Sequence, residues 1–197
     1  MRDRSELRSL FLILLLGLMA VVGAVAFVSL ASVDSVAESL ATNGAKPLAD
    51  LGVARAKFNE NRVLVLEHTQ ATDVAEKAAI EQKIADNATT IDESLARVKE
   101  SLQTVQGKAD FERLLTDNQA LRDLRKQVLA LSNQGKEADA LALYRDTYGK
   151  ATKAIVTDYS NLFQSKVDLV DRKAADIRST YGWARLLVIG LILGAAA

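Results

Sequence analysis

The sequence lacks most of what builds covalent frameworks, sheets and metal cages. Its 197 residues include no cysteine, one proline, one histidine and only ten glycines. Without cysteine there is neither a disulfide framework nor a thiolate metal site. With His68 as the sole imidazole, most histidine-based metal centres and catalytic triads are removed, so neither a cofactor nor enzymatic chemistry is expected. Turn formers are too scarce for many short strands, so a mainly helical chain is expected. Lys plus Arg equals Asp plus Glu at 25 each, and this balance gives no bulk charge that would draw nucleic acid.

Apolar residues, by contrast, are abundant and unevenly spread. Residues 9–33 form a run of 25 without a formal charge. A bilayer core takes about 20 apolar helical residues, so this run predicts a first transmembrane helix over residues 10–32. A cleaved signal peptide is the rival, because Ala24-Val25-Ala26 has the small residues of a cleavage site, but signal cores run about 7–15 residues. Tyr181 and Trp183 suit an interfacial aromatic belt, Arg185 can snorkel, and twelve uncharged residues follow. Residues 181–197 therefore read as the start of a second span, cut before its end. Arg2, Arg4 and Arg8 place the preceding tail, residues 1–9, in the cytoplasm by the positive-inside rule. Residues 33–180 then lie outside, in the periplasm if the membrane is a bacterial inner one.

Four helical stripes fill this outer region. The first spans about 48–70; the second runs from Ile80 to Leu102 and the third from Phe111 to Leu131. The fourth runs from Leu141 to Ile177, with Lys166 interrupting it. Thr72 and Asp73 offer a start for the second helix. Gly107 with Asp110 should separate the second from the third, and Asn133-Gln134-Gly135 the third from the fourth. Asn43-Gly44 and Pro47 predict a kink at the head of the first. Short connections between amphipathic helices imply an all-α, antiparallel up-down four-helix bundle between two transmembrane helices.

This plan resembles the sensory half of bacterial methyl-accepting chemotaxis receptors: a short basic tail, a span, a bundle and a second span. The Pro47-Leu48-x-x-Leu51 start followed by spaced arginines is also similar to first helices of that family. The resemblance implies a membrane-embedded homodimer with a periplasmic ligand-binding domain. It further implies a missing C-terminal part that acts on a cytoplasmic histidine kinase through a coupling protein. Similar input domains sit on sensor kinases and diguanylate cyclases, and a third possibility is a rod that senses a periplasmic protein partner.

Arg55 and Arg62 occur seven residues apart, among Leu48, Leu51, Phe58 and Val65. Their stems can pack at a core edge, or they can pair with acids on a neighbouring helix. Guanidinium also matches a carboxylate bidentately, so the two could hold a small organic acid. Asn59 shares their side of the helix. In receptors of this kind first-helix arginines from both subunits bind ligand carboxylates, and the start of the fourth helix supplies polar partners. The resemblance therefore implies roles for Arg55 and Arg62, with Tyr144, Thr147, Tyr148 and Thr152 opposite. Tyr144 and Tyr148 fall on the apolar stripe and equally suit core packing. His68 is expected to be an exposed tip residue. Val53, Val63 and Leu66 make further faces of the first helix apolar, which suggests homodimerisation along it.

Overall fold

The computed structural model describes residues 4–196. Arg2, the side chains of Arg4 and Arg8, and those of residues 191–197, on which the tail orientation and the second span partly rest, lie outside the described residues.

Every regular element among the described residues is helical. Helix α1 spans Arg4–Leu40 and passes through a π-helical segment, Ala41–Ala45, into α2, Lys46–Gln70. Helix α3 covers Val74–Glu100, α4 Val105–Asn133 and α5 Glu137–Leu143. A second π-helical segment, Tyr144–Tyr148, leads into α6, Gly149–Ala196. The kink expected around Asn43-Gly44 is met by the first π segment, with Pro47 just inside the start of α2, where a missing N–H costs little.

The chain divides into two compact units, Thr42–Leu169 and the pair Met1–Ala41 with Val170–Ala197. In the first, α2, α3, α4 and the α5–α6 helix form the bundle. Contacts between α2 and α3 fix their antiparallel register: Asp50 meets Arg97, Asn61 meets Asn87, and His68 meets Glu81. The core contains Leu51, Phe58, Ile84, Leu95, Phe111, Leu114, Ile155 and Leu162, so each of the four stripes contributes to it. In the second unit, α1 presents Leu16, Phe27 and Leu30 outward. Its helix is the one among the described residues that is long and apolar enough to cross a membrane, with a mean hydropathy of 2.3 in its most apolar stretch.

Helix ends follow local chemistry. Asp73 Oδ1 caps α3 by accepting the N–H groups of Ala75 at 2.7 Å and Glu76 at 2.9 Å. The next break is shifted from its expected place: residues 101–104, not Gly107 and Asp110, separate α3 from α4. Thr104 is the cap, its Oγ1 accepting from Gly107 N at 3.0 Å. Gly107 belongs to the first turn of α4, where a Cβ would stand 2.9 Å from that hydroxyl. Gly135, at φ +70°, provides the left-handed residue of the α4–α5 turn, as its type leads one to expect.

Lys166 does not break the fourth stripe by facing water. It is only 3% exposed, and its Nζ donates to Ser101 O at 2.7 Å and Ser101 Oγ at 2.8 Å, at the C-terminal end of α3. Lys77 does the same at the other end of the bundle, donating to Ser132 O in the last turn of α4 at 2.6 Å. In both cases a buried ammonium meets the negative end of a neighbouring helix dipole and an orphan carbonyl.

Candidate ligand-binding site

The face that α2 buries runs Pro47, Leu51, Ala54, Phe58, Asn61, Val65 and His68, alternating by four and three. The positions that complete the stripe are thus 54 and 61, not 55 and 62. Both phases share Leu51, Phe58 and Val65, and neither a small alanine nor an asparagine announces itself as core. Asn61 is half satisfied there: Asn87 Nδ2 donates to its Oδ1 at 3.1 Å across the α2–α3 seam, while its own Nδ2 has no partner among the described residues. Arg55 faces solvent, and Arg62 sits half-buried on the shoulder of the core.

Around Arg62 several expected residues converge. Its Nη1 donates to Asn59 Oδ1 at 3.2 Å, one turn back on the exposed side. Its Nε is buried without a hydrogen-bond partner among the described residues. Tyr144 donates its hydroxyl to the Arg62 carbonyl at 3.2 Å. The Tyr144 ring stacks on Tyr148, with centroids 5.3 Å apart and planes 23° from parallel. The π turn that carries both rings closes with Gly149 N–H donating to Tyr144 O. A Cβ at position 149 would lie 3.3 Å from that carbonyl, so glycine lets the wide turn close tightly.

Tyr148 is 1% exposed, and its hydroxyl has no partner among the described residues. Burial pushes its pKa up to about 12; nearby Arg125 and Arg62 pull it down, while Tyr144 adds to the rise. Arg125, on α4, is itself lowered by desolvation, with Asp92 opposing. The composition of α4 gave no reason to single out Arg125. It flanks the stripe of Leu121 and Val128, where a cation reads as an ordinary surface charge until α2 and the π turn are folded against it.

The other expected residues do not join this group. Thr152 is buried, but its hydroxyl donates to Gly149 O at 2.7 Å. Arg55 and Thr147 are exposed and form no side-chain hydrogen bond or ion pair among the described residues.

His68, expected at the surface, is fully buried. Ser132 Oγ donates to the His68 carbonyl at 2.8 Å, so ring Nδ1–H donates to Ser132 Oγ at 3.0 Å. Ring Nε2 faces Glu81 Oε1 at 3.0 Å, an oxygen that also accepts from Asn133 Nδ2 at 2.7 Å. The histidine was misplaced because it occupies a core position of a stripe read one residue out of phase. It staples α2 to α3 and α4 beneath a cleft of about 430 Å³ lined by Lys77, Glu81, Ser132 and Glu137 among others. A second opening, about 400 Å³ between α1 and the end of α6, is mostly apolar, with Tyr181 and Arg185 its main polar groups. Among the described residues no group of His, Cys, Asp and Glu has the make-up of a metal site.

Lower in the bundle, Asp158 is buried on α6 with its Oδ2 unpartnered. Desolvation raises its pKa to about 6; a hydrogen bond with Asp117 and the charges of Asp117 and Asp110 add to this, against Arg113.

Residues 4–181 match the family described as a four helix bundle sensory module for signal transduction. Comparisons with the curated proteins and with the solved structures gave no match.

Proposed function

The chain belongs to that family of four-helix-bundle sensory modules, and from this membership we propose that it is the sensory region of a bacterial transmembrane chemoreceptor. In this reading the bundle binds a small organic anion in the periplasm. Helix α1 anchors it in the inner membrane, and the end of α6 enters a second span. The observation that carries the ligand assignment is Arg62, a half-buried cation whose Nε is sealed from water and unbonded beside the Tyr144–Tyr148 pair. An Nε–H in that state is stabilised by an acceptor-rich anion more than by water it cannot reach.

Two copies associate along α2, where Val53 and Val63 remain exposed after the bundle has formed. Ligand binding favours one of two packings of α2 against α5 and α6. Shifts of about 1–2 Å are typical of such helix interfaces, and the ligand moves the balance only by its differential affinity for the two. The shift travels along α6 to a C-terminal output that controls a histidine kinase through a coupling protein. No bond is made or broken by this chain.

The test is a thermal-shift screen of the full chain in detergent against small organic acids, amino acids and aromatic carboxylates. Ligand at a hundred times its dissociation constant stabilises by about 2.7 kcal/mol. The expected result is a raised midpoint with one acid class, cancelled by Arg62→Ala without loss of the fold. An equal response from parent and variant would remove Arg62 from the site.

A further inference from the structure

Resting on that reading, we infer that the anion is held inside a single bundle, by Arg62 of α2, Arg125 of α4 and Tyr148 of the π turn, and that the site takes a compact carboxylate. The resemblance implied arginines from two subunits. The turn that carries Tyr148 packs against α4 and is tied to α2 by the Tyr144–Arg62 hydrogen bond, so the donors come from three elements of one chain.

The argument is a count of donors against acceptors. Arg62 Nε and the Tyr148 hydroxyl are both buried and both without a partner. Neither Arg62 nor Arg125 has a carboxylate within ion-pair distance among the described residues. The acid that Arg125 does feel, Asp92, is already held by Arg122, which donates Nη1 to Oδ2 at 3.0 Å and Nη2 to Oδ1 at 2.5 Å. The locality thus has a half-buried guanidinium with a sealed Nε, a second that burial desolvates, and a buried phenol donor, with no acid bonded to any of them among the described residues. A buried donor left unbonded is costly, and a buried unpaired charge more so. An acceptor-only, negatively charged group of carboxylate size answers all three at once.

Tyr148 is the deepest of the three groups, so in this arrangement the carboxylate end of the ligand points to it, while the rest extends toward half-buried Tyr144 and exposed Asn59. A bound carboxylate would tie α2 and α4 to the turn that opens α6. The same atoms that bind would therefore set the packing of the helix that leaves the bundle.

The experiment uses the full chain in detergent, with thermal unfolding in acetate, succinate or benzoate against sodium chloride at equal ionic strength. Arg125→Met keeps the stem and removes the charge. Without carboxylate, its midpoint is expected to rise by about 2–4 °C, as each kcal/mol relieved gives in a chain of this size. At least one carboxylate should stabilise the parent but neither Arg125→Met nor Arg62→Met, and Tyr148→Phe should weaken that binding about tenfold, the value of one hydrogen bond. Arg62→Met and Arg125→Met chains co-expressed in one cell should recover no response. Recovery would place the two arginines in different subunits and overturn the single-bundle site. If Arg62→Met abolishes the response and Arg125→Met does not, the proposed function stands and this site falls. Equal stabilisation by chloride removes the carboxylate class, and no shift with any of the three acids overturns both.

Discussion

At the scale of single residues, the polar groups inside this bundle carry its conditional behaviour. Asp158 has a folded pKa of about 6 against an ordinary 3.8, so between those values the folded chain holds more protons than the unfolded one. Stability therefore falls as pH rises through that window, and the deficit is complete above it. Asp158→Asn should raise the unfolding midpoint by several degrees at pH 8 and lose that advantage below pH 4, about the unfolded value. A gain of the same size at both pH values would mean that the carboxyl is not the cause. His68 has the opposite character, a polar group whose neighbours are satisfied on both ring nitrogens. His68→Ala removes a fully buried ring and its bonds to Ser132 and Glu81, leaving a cavity between α2, α3 and α4. It should cost about 2–4 kcal/mol in denaturant unfolding. A loss under about 0.5 kcal/mol, the size of an ordinary surface change, would deny it that role.

At the scale of elements, the caps and the π turn matter more than helix propensity. Asp73 satisfies two N–H groups at the start of α3, so Asp73→Ala should destabilise by about 1 kcal/mol, read from a lowered denaturant midpoint at constant slope. Gly149 is a different case, because it stands in a helix where alanine ordinarily stabilises by about 1 kcal/mol. Here the Tyr144 carbonyl crowds the added methyl at 3.3 Å. Gly149→Ala should therefore fail to stabilise and should perturb the Tyr144–Tyr148 stack, visible as a change in near-ultraviolet circular dichroism. A stabilised variant with an unchanged spectrum would show that the turn relaxes freely. The wide turn brings both tyrosines to the α2–α4 seam, so the element proposed to bind is also the one that begins the outgoing helix.

At the scale of the molecule, an amphipathic bundle with exposed apolar residues on its first helix is a candidate for pairing. Val63 is 55% exposed, and the natural sequence has no cysteine to confuse a cross-link. Val63→Cys under mild oxidation in membranes should give a covalent dimer on a non-reducing gel. A chain that remains monomeric there would set α2 aside as the dimer seam. The carboxylate site inside one bundle does not depend on this outcome, because its three donors belong to one chain.

The amino-acid sequence by itself determined the class of this protein. Apolar residues at helical spacing, the turn at Gly135, the cap at Asp73 and the long uncharged run are local or periodic signals, and each led to its element. Thr104 was equally local but was hidden by Gly107, a breaker type that here serves the cap. What only tertiary structure decided was phase and partnership. The stripe of α2 could be completed at 54 and 61 or at 55 and 62, and only packing against Asn87, Tyr159 and Ser132 chose the first. That choice buried His68, turned Arg55 to solvent and left Arg62 on the shoulder. Arg125 had no sequence signal, because a cation beside an apolar stripe becomes a candidate binding group only when distant elements shield it from water without supplying an acid.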